Sequence, residues 1–181
     1  MDNAGMPPQR RKPLLTHLID PKLRSSFKNY LLQSLLATGF CAGMLISLDV
    51  VIPGALVASL GASTFIVFVA PDTRAAMPRG LLGGQLIGTG AGLICWFLLD
   101  CGLLSGIASS RIEIAVFGSV AVGLAIFLMV IIDMEHPPAA GTALSIVMAK
   151  WSIYSIAFIG GAALFLTFVR LVLGKRLKNL Y

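Results

Sequence analysis

Residues 134–150, "MEHPPAAGTALSIVMAK", interrupt an otherwise lipid-compatible sequence. They place a glutamate, the only histidine outside the amino-terminal tail and two consecutive prolines directly before a short apolar run. The run itself, residues 138–149, would reach roughly 18 Å as a helix, well short of a hydrocarbon core of about 30 Å. It crosses a membrane only if the preceding residues 133–136 extend it; otherwise it enters and turns back. The fold turns on which of these holds.

Working outward from this stretch, apolar runs occupy residues 29–48, 50–70, 80–100, 112–132 and 152–173. Each approaches the roughly 20 residues that a helix needs to span. The chain is 57% hydrophobic and only 12% charged, against about 25% charged in soluble domains. These features describe an all-α integral membrane protein, a compact helical bundle of four to six membrane segments. The segments at 50–70 and 138–149 are expected to be interrupted or re-entrant. Pro53-Gly54 and the patch Gly61-Ala62-Ser63-Thr64 are where the former would break, although a continuous helix fits equally well.

The net charge of +6 sits mainly at the ends: six basic residues fall in 10–28 and four in 170–178. Such charge is expected to fix topology rather than bind nucleic acid. Three parts follow: a basic cytoplasmic tail (1–28), a single transmembrane domain (29–173) and a second basic cytoplasmic tail (174–181). Residues 1–28 show no signal-peptide pattern. A bacterial inner membrane with both termini cytoplasmic is the expectation, which requires an even number of crossings. Loop charge favours six crossings, whereas the shortness of 138–149 favours four. Cys41, Cys95 and Cys101 lack metal-ligand spacing and read as small packing residues. No metal or cofactor is expected.

Shifting the chain by 79 positions pairs residues 51–70 with 130–149, with few identities but the same order of parts: long helix, short element, helix with a Gly-Gly pair. An internal repeat of the kind seen in transporters and a chance match of apolar sequences explain this equally well.

Two ordered motifs carry a resemblance. One comprises Ala62-Ser63-Thr64-Phe65, Pro71-Asp72, Pro78-Arg79 and Gly83-Gly84; the other is "HPPAAGTAL", residues 136–144. Over roughly residues 25–175 the chain resembles the HPP family of small integral membrane proteins, named for the His-Pro-Pro tripeptide. The resemblance implies four transmembrane segments, and for some plant and cyanobacterial relatives nitrite transport. Many relatives carry carboxy-terminal CBS domains; the sequence to Tyr181 contains none, so nucleotide sensing is not implied.

Read from the residues, His136, Pro137 and Pro138 start a helix whose first N–H groups, at Ala139, Ala140 and Gly141, lack intrahelical acceptors. A half-helix beginning inside the membrane presents its partial positive end to a cavity and suits a small inorganic anion. The expectation is that "HPPAAG" faces "GAST", with Ser63, Thr64 and Thr142 lining the path and Arg74 and Arg79 holding the oxyanion. Each has a plainer alternative: the prolines start an ordinary interfacial helix, the hydroxyls bond their own backbone, and the arginines report topology. Asp133, Glu135 and His136 within four residues are costly near a membrane and tilt the balance towards function.

The leading expectation is a transporter or channel for a small monovalent anion, nitrite by resemblance, and not an enzyme. An intramembrane enzyme acting on a lipid or quinone is the alternative, disfavoured because no nucleophile is spaced with a paired base. A membrane scaffold is the third. Membrane lipid is the expected surround. Gly84, Gly88 and Gly92 form a smooth helix face for close approach, either within the chain or in a homo-oligomer.

Overall fold

The computed structural model describes residues 23–46, 54–103, 110–149, 152–174 and 176–180. Pro53 and the end of the 29–48 run lie outside these residues. Six α-helices are present among them: α1 (Leu23–Ile46), α2 (Gly54–Val69), α3 (Pro78–Asp100), α4 (Ser110–Ile132), α5 (Pro138–Ala149) and α6 (Ile153–Leu173). The expectation of an all-helical membrane bundle holds. α3, α4 and α6 are each long and apolar enough to cross a membrane, and α2 and α5 are the two shorter apolar helices. Large apolar side chains such as Leu86, Ile131 and Phe165 face outward, as lipid requires of an integral membrane protein.

Local chemistry sets the boundaries. Pro78 occupies the first turn of α3, where its missing N–H costs nothing. Ser152 caps α6 by accepting from the Ser155 N–H at 3.1 Å. α4 ends with Asp133 in the left-handed region (φ 56°), the Met134 N–H returning to the Met129 carbonyl at 2.9 Å and the Asp133 N–H to Val130 at 3.3 Å. That is the Schellman arrangement, with an aspartate where glycine is usual.

Three local features add to the sequence reading. α1 begins at Leu23, so residues 23–28, the described part of the basic stretch, already form its first turns. α2 runs unbroken through Gly61-Ala62-Ser63-Thr64. Residues 177–180 fold back instead of trailing away. The Gln33 amide pairs with Lys178, donating to its carbonyl at 2.9 Å and accepting from its N–H at 3.0 Å. Tyr30 donates to the Leu180 carbonyl at 2.6 Å, and the Leu180 N–H donates to Val69.

Successive helices run in alternate directions. The end of α2, the start of α3, the end of α4 and the lead-in to α5 share one face of the bundle. Arg79 donates to the Ile132 carbonyl at 3.0 Å there, and Arg170 near the end of α6 donates to Pro71 at 3.1 Å. α5 and its extended lead-in run parallel to α3. Glu135, His136, Ala139 and Ala143 lie in turn against Gly80, Gly84, Gly88 and Gly92, each of which leaves no room for a Cβ. The glycine face is therefore an intrachain contact. The lead-in supplies the length that α5 lacks, bringing its end to about the level of Leu98 at 1.5 Å per helical residue.

Candidate functional site

The same lead-in places His136. Its Cβ occupies the space a side chain at position 84 would need, so Gly84 is what admits the imidazole between α3 and α2. The residue is wholly buried. His136 Nδ1 lies 2.8 Å from the Ala75 carbonyl, on the 3-10 turn Arg74–Ala76 that precedes α3. A carbonyl only accepts, so Nδ1 carries the proton and Nε2 presents its lone pair inward. There it meets the Ser63 hydroxyl of α2 at 2.8 Å.

From Ser63 the polar contacts continue through the interior. The Gln85 amide of α3 donates to Ser63 Oγ at 3.3 Å and accepts from Thr142 Oγ1 of α5 at 2.9 Å. Thr142 lies 2.8 Å from Ser59 Oγ, which is also 2.5 Å from the Pro138 carbonyl. All five side chains are buried, and none but the imidazole can take a positive charge. In an apolar surround each unmade bond would cost about 1–3 kcal/mol, so the chain holds α2, α3 and α5 in register. His136 itself stands in the connection between α4 and α5.

On its other side His136 borders a groove of about 270 Å³ between α4 and α5, lined with Ile126, Met129, Val130, Glu135 and Pro137. Glu135 and Pro137 are exposed there. At the end of the bundle Arg74 pairs with Asp133 at 2.8 Å, both side chains largely open.

Of the residues singled out by sequence, His136, Ser63 and Thr142 meet, and Pro138 joins them through its carbonyl. Gly141 packs beside Ser59, where even a Cβ would sit in ordinary contact at 3.6 Å. Thr64 is turned away and bonds the Leu60 carbonyl at 2.8 Å, the plainer of its two readings. Arg74 and Arg79 stay at the exposed end and do not reach the interior. The first N–H groups of α5 are occupied: Ala139 donates to the His136 carbonyl at 2.9 Å and Ala140 to Pro137 at 3.1 Å. The expectation that the Ala139 and Ala140 N–H groups are free for a ligand does not hold.

Two members of the chain escaped sequence reading. Gln85 is the lone amide in an apolar helix, next to the Gly83-Gly84 pair, and that isolation was the available signal. Ser59 lies four residues before Ser63, on the same helix face. The Ser63–His136 contact also supplies the hydroxyl-base pair that sequence spacing did not reveal. Among the described residues, no three His, Cys, Asp or Glu side chains converge as metal ligands.

Residues 24–180, nearly the whole chain, match the family model described as HPP, transmembrane region. The chain belongs to the HPP transmembrane family. Neither the curated proteins nor the solved structures contain a match. Membership fits a membrane transporter-like role in general.

Proposed function

We propose that this HPP protein moves a small monovalent anion across the membrane, with nitrite the first substrate to test. The observation that carries the reading is the bond between His136 Nε2 and Ser63 Oγ, at the head of a buried, uncharged polar chain joining three helices. Intramembrane polar groups are costly, and hydroxyl and amide groups can donate to an oxyanion. The anion would engage these side chains, with the α5 dipole adding partial positive charge behind them. Arg74 and Arg79 at the exposed end would draw anions towards the site. That end also carries Arg170 and both described chain ends, which supports placing it on the cytoplasmic side of a bacterial inner membrane. Lipid and the anion are the proposed partners; a homo-oligomer is compatible with this reading. The name nitrite rests on relatives of the family.

The test is uptake into liposomes containing purified protein. Nitrite should enter faster than into empty liposomes, and correctly folded His136→Ala should lose that increment. Failure of nitrite, nitrate, formate and chloride alike would end the reading.

The Ser63–His136 geometry also favours a second reading, acyl transfer from a lipid ester by Ser63 with His136 as base. Against it, Ser63 is wholly buried in the middle of α2. Labelling of Ser63 by a fluorophosphonate, abolished by His136→Ala, would bring the enzyme reading forward.

A further inference from the structure

Among the described residues no Asp, Glu, Lys or Arg is buried. Every such side chain sits at an end of the bundle, and His136 alone brings a group able to become cationic into the interior. A bare anion entering an uncharged, desolvated chain of hydroxyls meets dipoles but no compensating charge. One protonation event would change that, and the geometry fixes where it must occur. Nδ1 already holds a proton committed to the Ala75 carbonyl, so a second can add only at Nε2, the atom that faces Ser63 and the polar chain.

From this geometry we infer that the protein carries its anion together with one proton, His136 Nε2 being the atom that holds the proton against the anion. The inference rests on the transport reading above and specifies its coupling. A proton from solution adds to Nε2, and the resulting N–H turns from acceptor to donor, binding an anion oxygen in place of the Ser63 hydroxyl. The imidazolium and the anion together are neutral. Transfer of that proton to the anion gives the neutral acid and returns the imidazole to the resting tautomer, with Nδ1–H still on Ala75. Release on the far side yields one anion and one proton, so no net charge crosses.

The charged groups around the ring leave this role to His136. α2 and α5 bring only Ser59, Ser63 and Thr142 to the chain and α3 brings Gln85, while α4 borders the groove on the other side of His136 with Ile126, Met129 and Val130. Arg79 at the start of α3 is held by the Ile132 carbonyl, and Arg170 on α6 by Pro71. On the preceding connection, Arg74 is paired with Asp133, and Asp72 is exposed. Glu135, beside His136 and exposed, is the one other titratable group that lines the α4–α5 groove bordering His136.

The experiment uses the full-length protein in liposomes loaded with a pH dye, with the membrane potential set by potassium and valinomycin. Nitrite and formate uptake are measured after subtraction of empty liposomes, which themselves pass the neutral acids. Expected are internal acidification matching anion uptake one for one, indifference to the imposed potential, and a rate rising about tenfold for each unit fall in external pH at fixed anion concentration. Uptake driven by an inside-positive potential, without acidification, would overturn proton coupling while leaving transport intact. Absence of any protein-dependent flux would remove both. In folded His136→Gln, unchanged one-for-one acidification would equally overturn the assignment to His136, whereas its loss supports it.

Discussion

α2 and α5 are the two short helices of the bundle, and they are embedded differently. α5 lies in a bed of glycines: Gly84, Gly88 and Gly92 of α3 meet His136, Ala139 and Ala143 with no room for a methyl group. Around α2 the glycines are idle. Gly61 of α2 and Gly39 and Gly43 of α1 have nothing within 4 Å of where a Cβ would stand, and a groove of about 610 Å³ separates α1 from α2. Small residues thus play two roles in one membrane domain. On the α5 side they determine backbone approach and fix the imidazole; on the α1 side they leave the surface smooth.

The sharpest way to break this contrast is to add a methyl group on each side. Gly88→Ala should destabilise by about 1–3 kcal/mol or more, because the Ala139 carbonyl is backbone and cannot step aside. Gly84→Ala should do the same and displace His136. Gly39→Ala, in an open helical position, should be neutral or stabilising by about 0.5–1 kcal/mol from the reduced entropy of the unfolded chain. Thermal unfolding in detergent compares them, and equal losses on the two sides would show that the glycine bed has no special role.

Adjacent hydroxyls on α2 give a contrast of intermediate size. Ser63→Ala would leave His136 Nε2 and the Gln85 amide without their buried partner, costing about 1–3 kcal/mol. Thr64→Ala deletes a bond to the helix's own Leu60 carbonyl and should cost about 0.5–1.5 kcal/mol. Thermal unfolding in detergent compares these two as well, and equal losses would show that the bond from Ser63 to His136 adds nothing to stability.

How much of this was readable beforehand differs between the two short helices. The facing of "HPPAAG" and "GAST" was legible, because hydroxyls, prolines and an ionisable group stand out against apolar sequence. Even the 79-residue offset has a structural echo: Ser59 bonds the Pro138 carbonyl, and Ser63 and Thr142, likewise 79 apart, both join the polar chain. The bonding of the first α5 N–H groups was not legible, since an isolated motif does not tell whether the chain before a helix turns back to accept its donors. Gln85 was passed over because one amide in an apolar helix has no periodicity to announce it; only three-dimensional packing sets it between Ser63 and Thr142. The fate of Arg74 and Arg79 likewise depended on a long-range fact, the arrival of Asp133 and Ile132 at the start of α3.

The smallest effect belongs to the hinge between α4 and the α5 lead-in. Asp133 holds a left-handed backbone conformation that glycine adopts at little cost, and offers in return an exposed ion pair to Arg74. Relief of that strain is worth about 1 kcal/mol, whereas an open ion pair contributes about 0–1 kcal/mol. Asp133→Gly should therefore be neutral to slightly stabilising, shifting unfolding upward by a few degrees at most. Asp133→Ala, which loses the pair and keeps the strain, should be the less stable of the two. If glycine instead proves clearly destabilising, the carboxylate is fixing the Arg74–Ala76 turn, and through the Ala75 carbonyl the tautomer of His136. The contrast between the helices would then depend on a surface ion pair as well as on buried glycines.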